Sequence, residues 1–415
     1  MNSLQPTQSI QAPGERNWLG STAAYYAAFI GLGFTTASLG PLLPLLADQT
    51  HTALDQVSIL FTTRWLGYLI GSLVIGRVYD RRGGHPVMAI ALLAIAACMA
   101  LTPVIQVLWG LALIMLALGS AESSLDVGGN TLLIWLHGRR VAPFMNGLHF
   151  FYGLGALLSP LIIAQSVLLT GRSAWALWLV ALLIVPLAFS LLRLPSPVAH
   201  IPEPSGVDAD AGPDARRHNT DRTRWTVVFF FVLFFMTAIG AEQSFGGWIY
   251  TFSVAAGLVS FQTAAYLTSA FWGAFTLSRL ASISLANRLS TRAYLIISLA
   301  GCAIGLGLLN ALGFMDTVST AQAALWLGTL LFGISIAVVF PITMSYAGER
   351  IPIVGQITSL FFVGVSAGGM LIPWLIGQFF ESVSPYAAMF IILLAILSSI
   401  VTFVFIDRLT RRAKT

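Results

Sequence analysis

The sequence predicts an all-α membrane protein: twelve transmembrane helices in two pseudo-symmetric bundles of six, with both termini in the cytoplasm. Composition, a count of apolar runs and a partial internal repeat predict it. The 415 residues are 57% hydrophobic and only 9% charged, with a mean hydropathy of +0.84. A soluble domain carries roughly 25% charged residues, so this chain cannot cover a surface that faces water on all sides. It belongs in a bilayer.

A helix crosses the hydrocarbon layer with about 20 apolar residues. Runs of that length lie near 18–47, 56–79, 86–106, 108–136, 142–170, 173–193, 225–256, 261–285, 292–314, 319–347, 353–380 and 384–407. Many contain Gly and Pro, which membrane helices tolerate. Residues 195–224 are rich in Pro, Asp and Arg and lack an apolar period, which predicts a disordered linker. The expected organisation is a tail (1–17), a six-helix bundle (18–194), a cytoplasmic linker (195–224), a second bundle (225–408) and a tail (409–415). The first seventeen residues are polar, with Pro6, Pro13 and Gly14, and no removable signal peptide is expected. Cys98 and Cys302 each sit in an apolar run, against a disulfide scaffold or a thiolate metal site.

Orientation follows from the basic residues. With the N-terminus inside, 18 of the 21 Lys and Arg fall in cytoplasmic segments and one, Arg172, outside; Arg64 and Arg279 lie within spans. That split satisfies the positive-inside rule. It also accounts for a formal charge of +5 without nucleic acid as a partner. Lipid headgroup contact is the expected role of most of these arginines.

The halves resemble each other. TRWLGYLIGSLVIGRVYDRRGG (63–84) aligns without gaps on AFWGAFTLSRLASISLANRLST (270–291), pairing Trp65 with Trp272 and Arg81 with Arg288. HFFYGLGALLSP (149–160) falls on FVGVSAGGMLIP (362–373), pairing Gly155 with Gly368 and Pro160 with Pro373. Such repeats let a transporter rock two bundles around a site near the bilayer midplane.

At GRVYDRRGG (76–84) the sequence resembles the loop signature between spans two and three of the major facilitator superfamily. Gly76, Asp80, Arg81 and Gly83 match it, Val78 stands for the usual Leu, and Gly84 stands where a basic residue is common. The resemblance implies the major facilitator fold, with Asp80 and Arg81 in a cytoplasmic gating latch. The second half carries Asn287 in place of the acid. SLGPLLPLLA (38–47), LDVGGNTLLIWL (125–136), MNGLHFFYGLGALLSPLI (145–162), EQSFGGWIYTFSV (242–254) and FWGAFTLSRL (271–280) are similar to the sodium-dependent glucose transporter-like branch, near the fucose/glucose–proton symporters. That similarity implies hexose uptake driven by a cation gradient.

Ionisable residues inside the membrane are candidates for ion or substrate pathways. In AESSLDVGGNTLLIW (121–135), Glu122, Asp126 and Asn130 are four residues apart and share a helix face. Asn146 and His149 enter span five at a similar depth, and Gly128 and Gly129 permit a close neighbour. Asp126 is the first candidate for cation coupling, with Glu122, Glu242 and His149 beside it; a structural hydrogen-bond network between spans four and five is the competing reading. A buried carboxylate favours its neutral form and can shuttle a proton as its surroundings alternate. Sodium would instead need hard oxygens, from Asp126, the Asn130 carbonyl and nearby hydroxyls. The sequence leaves the choice open.

Sugars are held by amides and carboxylates that bridge hydroxyls, with aromatic faces on the apolar side. Asn130, Asn146, His149, Tyr152, Gln243, Trp248, Tyr250 and Trp272 are the candidate substrate contacts. Gly246 and Gly247 are expected to weaken span seven. Arg279, with Glu122 or Glu242 as a conceivable partner, is a candidate gating or structural ion pair, and Arg64 needs a partner as well. Trp109, Trp175 and Trp178 are expected at the interfacial belt, and Gln378 in the external vestibule or at the surface.

No phosphate-cradling loop, nucleophile elbow or metal-ligand spacing occurs, so no enzymatic activity and no cofactor beyond the coupling ion are expected. The reading is a monomeric secondary transporter of the plasma membrane, a bacterial inner membrane, importing a hexose-like sugar with a proton or sodium. A proton-coupled exporter of drugs or amphipathic metabolites is the alternative, against which the polar amide layer counts. A non-transporting membrane sensor is the alternative of another class.

Overall fold

The computed structural model describes residues 15–81, 83–197, 218–285, 288–351 and 355–412, and among them the only regular structure is helical. The first half contains α1 (Glu15–Thr50), α2 (Leu54–Val57), α3 (Ile59–Arg81), α4 (Gly84–Leu101), α5 (Leu108–His137), α6 (Val141–Thr170) and α7 (Ala174–Arg193). The second contains α8 (His218–Ala255), α9 (Phe261–Leu285), α10 (Thr291–Asn310), α11 (Val318–Ile336), α12 (Val339–Gly348), α13 (Gly355–Phe380) and α14 (Tyr386–Arg412). Joining α2 to α3 and α11 to α12 gives the twelve expected spans. Eleven are long and apolar enough to cross a membrane. The remaining one, α9, carries serines, threonines and Arg279 that lower its hydropathy, and it packs on α6, α8 and α11.

The packing repeats between halves. The pairs α1–α6, α3–α5 and α4–α7 correspond to α8–α13, α9–α11 and α10–α14. In lipid, apolar burial gives little drive for one helix to meet another, so small residues that permit backbone contact matter more. Two glycine pairs show this. A Cβ on Gly33 would strike the carbonyl of Tyr152, and one on Gly155 would strike that of Ile30. In the second half, Gly240 faces the Gly368 carbonyl and Gly368 faces that of Met236. The expected match of Gly155 with Gly368 is thus one of function as well as sequence.

Across the seam, α1 meets α8, α3 meets α13 and α6 meets α9. Gly246 and Gly247 do not interrupt α8, which is continuous to Ala255. They make room for side chains of other helices, Gly246 for Trp272 and Gly247 for Phe61, while α1 approaches α8 through Gly40, whose Cβ would lie 2.7 Å from the Gly246 carbonyl oxygen.

Span ten divides at Ala337–Val338. Pro341 has no N–H for the carbonyl four residues earlier and its ring crowds that carbonyl, which belongs to Ala337. The start of α1 and the ends of α7 and α14 share one face, as the even number of spans between them requires. On the opposite face the halves are stitched together: Gln378 Nε2 donates to the Asp55 carbonyl at 3.0 Å and Thr62 Oγ1 to that of Met370 at 3.0 Å. The backbone N–H of Leu54 reaches Glu381 Oε2 at 3.3 Å.

Helix α8 begins at His218, inside the stretch read as linker; residues 198–217 of that stretch lie outside the described residues, as do Arg82, Asn287 and the side chain of Asp80.

Candidate functional site

Helices α3 and α5 run side by side in nearly direct backbone contact. Gly67 lies against the Leu116 carbonyl and Gly119 against that of Arg64, and Ser120 Oγ donates to the Gly67 carbonyl at 2.9 Å. This closeness brings two stripes of polar residues together in register. Arg64, Tyr68 and Ser72 are four apart on α3, as are Glu122, Asp126 and Asn130 on α5.

At the first level Arg64 grips Glu122 bidentately, Nε to Oε2 at 2.8 Å and Nη2 to Oε1 at 2.6 Å, while Nη1 donates to the Thr36 carbonyl at 3.3 Å. Both residues are buried, at 8% and 3% exposure. One turn on, the Tyr68 hydroxyl donates to Asp126 Oδ2 at 2.6 Å, and Asn130 Nδ2 donates to Asp126 Oδ1 at 2.9 Å. The same amide reaches the Asp126 carbonyl at 2.8 Å.

These two levels form one wall of a central cavity of about 190 Å³. Helix α6 adds His149 and Tyr152, α8 adds Glu242 and Gln243, and α9 adds Phe275 and Arg279. Gln243 Nε2 donates to Glu242 Oε1 at 3.2 Å. Arg279 has its guanidinium 4.4 Å from the Phe275 ring centroid, and its Nε donates to the Ala337 carbonyl at 3.1 Å. That carbonyl is the one Pro341 leaves without a helical donor, so the helix break fixes the arginine. Arg279 makes no carboxylate ion pair among the described residues, and Arg64 takes Glu122 alone.

A second cavity of about 600 Å³ shares Tyr68, Asp126, His149, Glu242 and Arg279 and continues past Ser72, Asn130 and Phe340 toward the face where α1 begins. Among the described residues the site is therefore closed on the stitched face and open on the other. The central cavity holds three carboxylates (Glu122, Asp126, Glu242) and two guanidiniums (Arg64, Arg279), a formal excess of one negative charge.

Other candidates lie elsewhere. Asn146 is exposed and lines neither cavity, so of the polar layer expected between spans four and five Asp126, Asn130 and His149 share a cavity and Asn146 stays outside it. Gly128 faces Tyr79 and Gly129 faces Phe29, on α3 and α1 rather than α6. Trp248 is fully buried, donates to the Pro373 carbonyl at 3.0 Å and packs on Phe380 with centroids 4.9 Å apart. Tyr250 belongs to a small cluster with Ala264 and Ala265. Trp272 packs among Phe271 and Phe275 and against Gly246. Arg81 is exposed. Trp109 and Trp175 are exposed as belt residues would be. Sequence reading missed Tyr68 and Thr36 and gave Trp65 only its repeat position; Trp65 lines the cavity and lies over Gly369 of the other half.

With its amide turned as it is, Asn130 presents N–H to Asp126, and both carboxylate oxygens already accept a donor. A sodium ion between these two residues requires the amide to turn its carbonyl inward. Among the described residues no three His, Cys, Asp or Glu cluster as metal ligands.

Sodium-dependent glucose transporter 1A of Mus musculus is 27% identical over 384 residues, covering 85% of this chain and 88% of that protein. Sodium-dependent glucose transporter 1 of Homo sapiens is 28% identical over 385 residues, covering 85% and 72%. Major facilitator superfamily domain-containing protein 4A of Xenopus tropicalis is 25% identical over 446 residues, covering 88% and 87%. Among solved structures, a variant of the nucleoside transporter NupG superposes with a TM-score of 0.72 at 15% identity, over 95% of this chain and 99% of that one. A bacterial homolog of the human lysosomal transporter Spinster, described as inward-facing and unoccupied, gives 0.69 at 13% identity over 95% and 96%. At these identities the structures share the fold alone. The Major Facilitator Superfamily profile matches residues 25–373, through both bundles and the cavity between them, and the chain belongs to that family of multi-pass membrane transporters.

Proposed function

We propose that the protein imports a hexose-like sugar together with one sodium ion by alternating access. The observation that carries this reading is the charge of the central cavity. Glu122 and Arg64 neutralise each other, which leaves Asp126 and Glu242 against Arg279. One monovalent cation balances the set, so the expected stoichiometry is one ion per sugar. Sodium is the choice because relatives spanning most of the chain are named sodium-dependent glucose transporters.

Asp126 and Glu242 are the coupling carboxylates in this reading. Gln243, His149 and Tyr152 bridge sugar hydroxyls, and Trp65 offers an aromatic face. Asn130 supplies the amide oxygen that joins Asp126 around the ion, and Arg279 shifts between the two acids as the ion enters or leaves. Both termini are cytoplasmic, in the plasma membrane of a bacterium, so the open face is the inward one. The transporter works as a monomer of two bundles, 18–194 and 225–408, joined by the 195–224 linker. The polar lining opposes an exporter of amphipathic compounds.

Uptake of a labelled sugar panel into proteoliposomes tests the reading. A sodium gradient at constant pH should concentrate one hexose class. Accumulation driven by a proton gradient without sodium would make the proton the coupling ion, and no accumulation of any sugar under either gradient would sink the symporter.

A further inference from the structure

Helices α10 and α14 enclose a groove of about 550 Å³ at the face where the chain ends, apart from the central cavity. Leu299 and Phe403 form its buried floor, and Ile296 and Val404, 41% and 39% exposed, form its walls. Both helices are long and apolar enough to cross the membrane, so these walls face acyl chains rather than water.

Arginines crowd the mouth. Asp407, 8% exposed, accepts the Tyr346 hydroxyl at 2.9 Å. Arg292 Nε donates to Asp407 Oδ1 at 3.1 Å, Arg411 Nε lies 3.2 Å from Oδ2, and Arg350 Nη2 stands 4.0 Å away. One carboxylate therefore organises three guanidiniums. Arg408 lines the same mouth and makes no hydrogen bond with the described residues. The cluster carries a formal charge of +3. Arg292 and Arg411 turn Nε to Asp407, so their Nη groups have no acceptor among the described residues. Paired guanidinium donors of this kind suit phosphate oxygens.

A soluble anion would use the arginines and leave the groove idle, and a neutral lipid would do the reverse. We propose that the α10–α14 groove binds an anionic phospholipid. Its phosphodiester lies among Arg292, Arg408 and Arg411, and one acyl chain runs along Ile296, Ile400 and Val404. Basic pockets between membrane helices hold anionic headgroups by the same chemistry. The proposal does not depend on which sugar or ion is carried.

Native mass spectrometry of the full chain in a neutral detergent tests it, titrating phosphatidylglycerol, phosphatidylcholine of the same chain length, and glycerol 3-phosphate. Phosphatidylglycerol should bind at least tenfold more tightly than phosphatidylcholine, with glycerol 3-phosphate a weak competitor. Arg408→Gln, which breaks no internal contact, should weaken phosphatidylglycerol about fivefold, and Arg408→Gln with Arg411→Gln roughly 25-fold. Val404→Trp, which fills the groove and leaves every arginine, should also weaken it. Equal binding of the two lipids, or an unchanged Arg408→Gln, would overturn the site. Displacement by equimolar glycerol 3-phosphate would make it a site for soluble anions and overturn the lipid.

Discussion

Tyr68 holds Asp126 from the neighbouring helix, hydroxyl to Oδ2 at 2.6 Å, one helical turn from the Arg64–Glu122 pair. A hydrogen bond to a charged group contributes about 1.5–3 kcal/mol. Tyr68→Phe should therefore lower concentrative uptake roughly tenfold or more while the protein still folds. Asp126→Asn should abolish concentrative uptake and leave substrate exchange. Proteoliposome uptake and counterflow measure both. Normal accumulation by Asp126→Asn would place coupling at Glu242.

The Arg64–Glu122 pair is buried on both sides, and breaking such a pair by removing one partner costs about 3–5 kcal/mol because the other charge stays behind. Arg64→Met or Glu122→Gln alone should lower the thermal midpoint in detergent sharply. The double variant Arg64→Met with Glu122→Leu should recover much of the loss. A double variant no more stable than the worse single would mean the pair is not the cause.

Gln378 ties the two halves on the stitched face through a single bond to the Asp55 carbonyl, assisted by a longer one to Ser58 Oγ at 3.5 Å. Losing an ordinary hydrogen bond shifts an equilibrium by about 0.5–1.5 kcal/mol. Gln378→Ala should favour opening of that face by roughly two- to twelvefold. A cysteine at Thr62 reports it through its rate of labelling with an impermeant maleimide, since Cys98 and Cys302 are buried. An unchanged rate would assign the closure to other contacts.

Glycine pairs make a sharper structural test. Gly155→Ala places a methyl group in the Ile30 backbone and should cost about 1–3 kcal/mol of stability, the usual range for overpacking. Gly307→Ala, at a position with nothing within 4 Å, should be neutral or stabilising. Equal effects in thermal unfolding would show that the α1–α6 contact is not tight.

Most of the fold was legible because apolar runs, Gly spacing and basic loops are local signals of a global constraint, the bilayer. The acids of α5 stood out because charge in an apolar run is costly. Tyr68 did not, since a tyrosine in such a run is ordinary. Its signal was the shared spacing of Arg64, Tyr68 and Ser72 with Glu122, Asp126 and Asn130, which becomes meaningful only once α3 and α5 are known to be adjacent. Trp248 and Trp272 were misjudged for the converse reason: an aromatic at mid-depth serves packing as readily as a ligand. Asn146 failed where His149, three residues further along α6, did not: His149 lines both cavities and Asn146 is exposed near the start of the helix. Pro341 did carry the news of a break in span ten, and with it the carbonyl that positions Arg279.

The unbalanced charge of the cavity has an electrical consequence. On the proposed stoichiometry the loaded carrier moves as a neutral body, and the empty one returns with a charge of −1. A membrane potential acts with about 2.3 kcal/mol per elementary charge per 100 mV, and an interior that is negative pushes the empty carrier's excess charge outward. The voltage would then power the reset of the cycle rather than the delivery of the sugar, and current recorded without substrate would carry the signature of that return stroke.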